Sequence, residues 1–308
     1  MKKSIVFIMM IILPSGVLGN SMGWPYLPAF DYFRGTAGER LFFYNQKSQK
    51  GTFYVNNDFR LYNSNKYWDE SGGKHNSDKY MRLINIISIK YSPISKTQFS
   101  IRVPYVYLGY TYNKYNNQLS NSGLSDIFLG VSYEIVKFLN NKIYLSSGVK
   151  IPVGYYKFNF EKLSLGTGSF DIPFVINSDL NIKNSLIFFD VGYIFIGESE
   201  ILYPSYDSVI KRNDGDEIFG DIAIIKKLNR VAVKFEMNYY YVFNSSGLEF
   251  GFLNWSWNYS HYKFSINPGM ILFPKFKNIK LELGFSYDLI GKNNLSGYSP
   301  VIRIHFNN

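Results

Sequence analysis

The sequence predicts an all-β fold: a transmembrane antiparallel up-and-down β-barrel of about twelve strands, with fourteen as the alternative count. Three observations lead there. Segments of strand length alternate apolar with charged or polar residues, short Asn-rich turns alternate with long polar links, and no stretch is continuously apolar for the roughly 20 residues that a spanning helix needs.

The chain opens MKKSIVFIMMIILPSGVLGN, where Lys2 and Lys3 precede a short apolar run, Ile5 to Leu13, and then small residues. That is the pattern of a secretory signal peptide. The expected division is a signal peptide over 1–19, a periplasmic tail or lumen plug over 20–50, and an outer-membrane barrel over 51–308. Trp24-Pro25-Tyr26-Leu27-Pro28 does not suit an interior strand, because proline has no ladder donor. The chain contains no cysteine, which excludes a lipoprotein anchor near Gly19 and any disulfide.

Losing Lys2 and Lys3 takes the formal net charge from +10 to +8 (10 less those two). The remaining bases alternate with apolar residues or sit singly in turns, a distribution that argues against nucleic acid and for outer-membrane lipids and lipopolysaccharide as the polar partners. Aromatic residues make up 19% of the chain, with 27 Tyr and 27 Phe. Barrels use such residues as girdles at the two membrane interfaces.

The clearest segment is Val231 to Phe243. Val231, Val233, Phe235, Met237, Tyr239, Tyr241 and Phe243 share one face, and Ala232, Lys234, Glu236, Asn238 and Tyr240 share the other. A soluble sandwich would bury the first face; a membrane barrel turns it to lipid.

Earlier in the chain, Phe53 to Tyr62 sets Val55, Phe59 and Leu61 against Asn56, Asp58 and Arg60. Met81 to Tyr91 sets Leu83, Ile87 and Ile89 against Arg82, Ser88 and Lys90, and Phe99 to Tyr110 sets Ile101, Val103, Tyr105 and Tyr107 against Ser100 and Arg102. Ile127 to Ile135 alternates in the same way, and Ile143 to Val153, Phe170 to Ile176, Ile187 to Phe195 and Ile218 to Lys226 continue the series less cleanly. At the end come Ile279 to Leu289 and Tyr298 to Phe306.

Asn140 to Lys142, Lys183 to Asn184 and Asn229 to Arg230 read as hairpin turns. Asn63 to Asp78, Asn113 to Ser122, Gly154 to Ser164 and Glu198 to Gly215 read as long outer loops. Asn244 to His261, including the Leu248 to Tyr259 segment with Trp255 and Trp257, is taken as an external loop or strand extension. Counting Arg40 to Gln46 as a strand gives fourteen.

SGLSDIFLGVSYEI (Ser122 to Ile135), GVKIPVG (Gly148 to Gly154) and LGTGSFD (Leu165 to Asp171) occur in that order, with IRVPYVY (Ile101 to Tyr107) before them and LIGKNN (Leu289 to Asn294) after. In order and spacing they resemble the outer-membrane barrel family named for the MetA-pathway of phenol degradation. The sequence departs from that family at Ser125 (commonly glycine), at Val153 (often threonine), and in ending on Asn307 and Asn308 after the aromatic Phe306. The resemblance implies passage of small compounds, aromatic and hydrophobic ones among them, across the outer membrane, and it brings no catalytic residues. Assembly by the barrel-assembly machinery through the C-terminal strand ending at Phe306 is the corresponding partner expectation.

The candidate lumen residues are Arg60, Arg82, Arg102, Asp126, Glu134, Lys150, Asp171, Lys234, Glu236, Glu282 and Arg303, together with Asp58. Their plainest role is mutual pairing inside the barrel. The sharper one is a constriction that selects solutes by charge. Asp126 and Asp171 hold equivalent motif positions below a glycine-containing rim.

No enzyme, cofactor or metal is expected. Ser260 and His261 are neighbours that a strand would point to opposite faces, a poor nucleophile and base. Asp69, Glu70, His75 and Asp78, and Asp214 to Glu217, lack EF-hand spacing for calcium. A closed structural or surface-interaction barrel is the alternative to a channel.

Overall fold

A computed structural model describes residues 50–69, 71–112, 117–138, 141–155, 165–203, 208–212, 215–245, 249–250, 253–254, 259–274, 278–292 and 294–307. The proposed signal peptide, the 20–50 segment up to Lys50, the Arg40 to Gln46 strand, Trp255 and Trp257 lie outside these residues.

The strands are β1 (Phe53–Trp68), β2 (Lys74–Tyr91), β3 (Thr97–Tyr112), β4 (Asn117–Leu124), β5 (Ile127–Phe138), β6 (Asn141–Ile151), β7 (Asp171–Ile182) and β8 (Ser185–Ile196). They continue with β9 (Ser199–Tyr203), β10 (Ser208–Arg212), β11 (Glu217–Leu228), β12 (Val231–Ser245), β13 (Glu249–Phe250), β14 (Leu253–Asn254), β15 (Tyr259–Leu272), β16 (Ile279–Lys292) and β17 (Asn294–Asn307).

Thirteen of these form one antiparallel sheet that closes on itself through β2–β3 pairing. Both β4 and β5 pair with β3, at Tyr105–Tyr112 and Thr97–Arg102 respectively, so they are two halves of one wall strand broken at Ser125 and Asp126. The wall therefore has twelve staves. With an even number, β1 begins and β17 ends at the same rim, Val55 lying opposite Phe306.

Side-chain burial is inverted relative to a soluble protein. On β12, Val233, Phe235 and Tyr239 are exposed, while Lys234, Asn238 and Tyr240 are 2%, 3% and 1% exposed and Glu236 is fully buried. Alternation thus puts charge inside and hydrocarbon outside, which is stable only if lipid covers the outer face. An arginine in place of Phe235, midway along the apolar face of β12, is expected to cost about 2–4 kcal/mol of folding free energy in bilayers, against about 0–1 kcal/mol at the interfacial Phe306. Vesicle unfolding titrations of the two variants measure the difference.

At the short-turn rim, Lys183 and Asn229 take left-handed backbone with φ of 53° and 54°, the conformation that two-residue hairpins require. At the other rim the expected links are more ordered than polarity implied. The Asn63 to Asp78 stretch is largely paired hairpin, Trp68 lying opposite Lys74. Much of Asn113 to Ser122 belongs to β4, and the Glu198 to Gly215 link carries the β9–β10 hairpin. Polar sequence at these positions reflects strands that continue past the bilayer into water.

Asp69 organises the β1–β2 turn. It accepts hydrogen bonds from the Ser71 hydroxyl (2.7 Å), the Ser71 amide (2.9 Å) and the Gly73 amide (2.8 Å), with His75 Nε2 at 2.6 Å. The Ser71 hydroxyl, His75 and the Gly73 amide hold its carboxyl well below the usual carboxylate range.

β15 was not anticipated as a strand, and Leu248 to Tyr259 supplies no wall strand among the described residues. The physical reason is Pro268-Gly269, which interrupts the β15 alternation. Pairing with β16 is interrupted at the same place, passing from Ile266–Tyr287 to Gly269–Gly284.

Candidate functional site

Ladder register brings the inward charges of distant sequence segments side by side. Asp58 accepts from Arg60 Nε at 2.9 Å and from Arg303 Nε at 2.9 Å. Arg303 Nη1 also donates to Glu282 at 2.7 Å, and Glu282 accepts from Lys234 at 2.9 Å. Lys234 bridges on to Glu236, and Asn238 connects Glu236 to Asp221. The result is a continuous ionic belt from β1 through β17, β16 and β12 to β11.

The belt skips β15 for a steric reason. Lys234 lies opposite Gly269, which presents no side chain, and so reaches past β15 to Glu282, whose own β15 partner is Ile271. A second link of this kind joins Tyr62 on β1 to Asp288 on β16, with the hydroxyl donating at 2.9 Å. Lys263 on β15 lies 5.4 Å from the Tyr62 ring centre. Such chords narrow the lumen on the β12–β1 side. Farther round, Asn177 donates to Asp190 at 3.0 Å and Ser146 to Ser132 at 2.7 Å.

The second constellation sits at the long-loop rim. Asp126 interrupts the wall strand between β4 and β5, and accepts from the Thr167 amide (2.8 Å), the Thr167 hydroxyl (2.9 Å) and the Gly154 amide (3.2 Å). Lys150 lies 3.8 Å from Asp126, bridges to Asp171, and donates to Thr167 and Ser169. Ser125 donates to the Leu165 carbonyl, while its own amide donates to Pro104 at 3.0 Å.

These contacts hold Leu165–Ser169 against the interior, where Leu165 is 4% exposed and packs with Tyr62, Tyr80, Ile84, Val106, Leu108 and Tyr110. Glycine is required at the crossing. A Cβ on Gly166 would stand 2.2 Å from Asp126 Oδ1, and one on Gly154 would stand 2.9 Å from Ser125 Cα. The SGLSD, GVKIPVG and LGTGSFD stretches therefore meet in space around one carboxylate.

All of the candidate lumen residues are buried and on inward-facing positions. The rim gathers Asp126, Lys150 and Asp171; the belt gathers Arg60, Lys234, Glu236, Glu282 and Arg303 with Asp58. Glu134 stands apart, paired with Lys142 at 2.7 Å toward the short-turn rim. Arg82 and Arg102 belong to neither group, Arg82 lying 5.4 Å from the Tyr62 ring centre.

Thr167, Ser169, Asp190, Asp221, Lys263 and Asp288 went unrecognised as site residues. Asp190 and Asp221 carried the period-two signal but in strands whose alternation was weak. Thr167 and Ser169 lie outside any strand, so nothing periodic marked them. Apolar inward patches were also unexpected: Phe128, Val175, Ile194, Phe219, Tyr240 and Val242 form one cluster, and Phe188, Ala223, Ile225 and Ile271 belong to another toward the short turns.

No protein-family model matches the chain, and no curated protein sequence matches it. What the comparisons support of the resemblance is therefore the fold, and it is carried by solved structures. An outer-membrane channel from Pseudomonas putida F1 superposes with a TM-score of 0.71 at 10% identity, covering 84% of this chain and 96% of that one. The transport unit of the autotransporter AIDA-I from Escherichia coli gives a TM-score of 0.50 at 9% identity, covering 86% and 93%. At these identities the likeness is one of backbone geometry. The chain has the fold of outer-membrane β-barrel channels and transporters.

Proposed function

We propose that this protein is a passive outer-membrane channel taking up small solutes, aromatic and hydrophobic compounds among them, and that it is not an enzyme. The observation that carries this reading is the loop residues Leu165–Ser169 held inward by Asp126, because a barrel with an inward-held loop beside a charged interior has the parts of a constriction. The apolar interior around Val106 and Leu108 suits the uncharged portion of a solute. The structural neighbour from Pseudomonas putida F1, described as an outer-membrane channel, supports the class. In this reading Lys2 to Gly19 directs export, lipids and lipopolysaccharide surround the barrel, and the outward Phe306 at the end of β17 marks the strand read by the assembly machinery.

A second reading is a closed structural barrel. The chords from Lys234 to Glu282 and from Tyr62 to Asp288 favour it, since they fill part of the lumen.

Planar-bilayer conductance of the mature chain, beside a version lacking residues 20–50, separates the two. Unitary steps in the mature chain are the expected result. Steps confined to the shortened chain would make the N-terminal segment a plug, and silence in both would establish the closed barrel.

A further inference from the structure

The two rims of the barrel carry different charge. At the long-loop rim both signs reach the surface, with Asp69, Glu198 and Asp216 standing among Lys66, Lys74 and Lys79. At the short-turn rim the exposed charges among the described residues are basic, Lys96, Lys137, Lys183, Lys226, Lys227 and Arg230 among them. The nearest carboxylates on the same hairpins, Glu134, Asp179 and Glu282, are buried.

Each of these bases has an exposed apolar neighbour. Ile94, Phe138, Ile182 and Leu228 are all more than half exposed, and they stand within two residues of Lys96, Lys137, Lys183 and the Lys226 to Arg230 group respectively. At the edge of a bilayer the apolar residue reaches the acyl chains while the long base beside it reaches the headgroup. In barrels of this kind the short turns face the periplasm, so these headgroups belong to the inner leaflet.

The densest part of the rim joins two neighbouring turns. The Phe273 amide, at the end of β15, donates to the Arg230 carbonyl in the β11–β12 turn at 2.9 Å. Lys227 lies 5.3 Å from the Phe273 ring centre, and Lys280 at the start of β16 feels the charge of Lys227. The sequence between β15 and β16 adds Lys275 and Lys277 and no acid. Like charges gathered in this way repel, and an anion among them relieves the repulsion.

We propose that the short-turn rim, centred on these two turns, is a binding site for anionic phospholipid. Lys226 continues the outward face of Ile222 and Ile224, so it meets the lipid phosphate with Arg230 while the chains lie along Ile224 and Leu228. Lys227 and Lys280 stand at the same rim and add to the attraction. A zwitterionic lipid brings its own cation to these bases and gains less. The site goes beyond the channel reading and does not depend on it, so a barrel that conducts nothing would still hold the lipid.

The test uses the full mature chain, refolded in detergent micelles that hold equal amounts of phosphatidylglycerol and phosphatidylcholine with identical chains. The protein is captured and washed, and its retained lipid is quantified by mass spectrometry. Phosphatidylglycerol is expected in excess by about fivefold at low salt, the factor that one base near an anionic headgroup supplies. The excess should vanish at about 1 M salt, where the screening length falls to about 3 Å. The combined variant K226Q/K227Q/R230Q should bring the ratio toward unity. K66Q/K74Q/K79Q, which removes the same charge from the other rim, should leave it unchanged, with folding of both verified by heat-modifiable gel migration. Glycerol phosphate, the headgroup chemistry without chains, should not displace the retained lipid.

Equal retention of the two lipids by the wild-type chain would overturn the proposal, and that comparison needs no variant. A preference that survives K226Q/K227Q/R230Q, or that is lost in K66Q/K74Q/K79Q, would remove the short-turn rim as its source. Displacement by glycerol phosphate would make this a site for a soluble anion and overturn the lipid.

Discussion

Glu282→Ala is expected to destabilise the barrel by about 3–5 kcal/mol, the largest single loss we anticipate inside the lumen. Glu282 is 2% exposed and receives Arg303 Nη1 at 2.7 Å and Lys234 Nζ at 2.9 Å, with His305 Nε2 at 3.3 Å. Removing it takes away the counter-charge shared by Lys234 on β12 and Arg303 on β17. Arg303 retains Asp58 and Lys234 retains Glu236, which keeps the loss below complete unfolding.

The contrast is Glu134→Ala. Its partner Lys142 lies near the short-turn rim with a side chain 17% exposed, so the freed ammonium can turn to water, and about 0–1 kcal/mol is expected. Urea titration of both variants in vesicles decides the matter. Equal losses would mean that the belt is no more desolvated than the rim and that its continuity has no energetic meaning.

Asp126→Ala is expected to raise unitary conductance and to cost about 1.5–3 kcal/mol, the range for hydrogen bonds to a charged group. The Asp126 carboxylate fastens the Thr167 and Gly154 amides, and Lys150 keeps Asp171 after its removal, so the barrel survives while the loop loses its three bonds to that carboxylate. Leu165 then keeps only its Ser125 and Tyr155 contacts, so its seat against Tyr62 and Leu108 loosens and the lumen widens at that rim.

Gly166→Ala tests the same idea with the carboxylate intact. Its Cβ would stand 2.2 Å from Asp126 Oδ1 and 3.1 Å from Gly154 Cα, so either the carboxylate turns aside and gives up Thr167 or the loop moves away. Both variants should therefore conduct more than wild type in planar bilayers. Thr167→Val, which keeps the backbone donor and loses the hydroxyl, should fall between. Unchanged conductance in Asp126→Ala and Gly166→Ala together would show that this loop does not limit flow.

Much of this architecture was legible from local chemistry. Period-two alternation depends only on which residue types follow one another, so β12 could be assigned to lipid on one face and lumen on the other, and the inward positions of Lys234, Glu236 and Arg303 followed from parity. The Asn-rich turns were legible for the same reason: Asn229 tolerates the left-handed backbone that its hairpin imposes. Where parity was interrupted, as at Pro268-Gly269 in β15, the strand disappeared from view although the ladder tolerates the break.

Only the tertiary structure decided who meets whom. Register, set by closure of the ring, placed Asp58 against Arg303 at a separation of 245 residues and brought three glycine-containing motifs together around Asp126. It also determined that β2 faces β11 across the lumen, which no local pattern encodes. Alternation specifies which face each side chain takes, because that is a property of the pleat. Its partners depend on how the strands are staggered as the barrel closes, and that is a property of the whole chain.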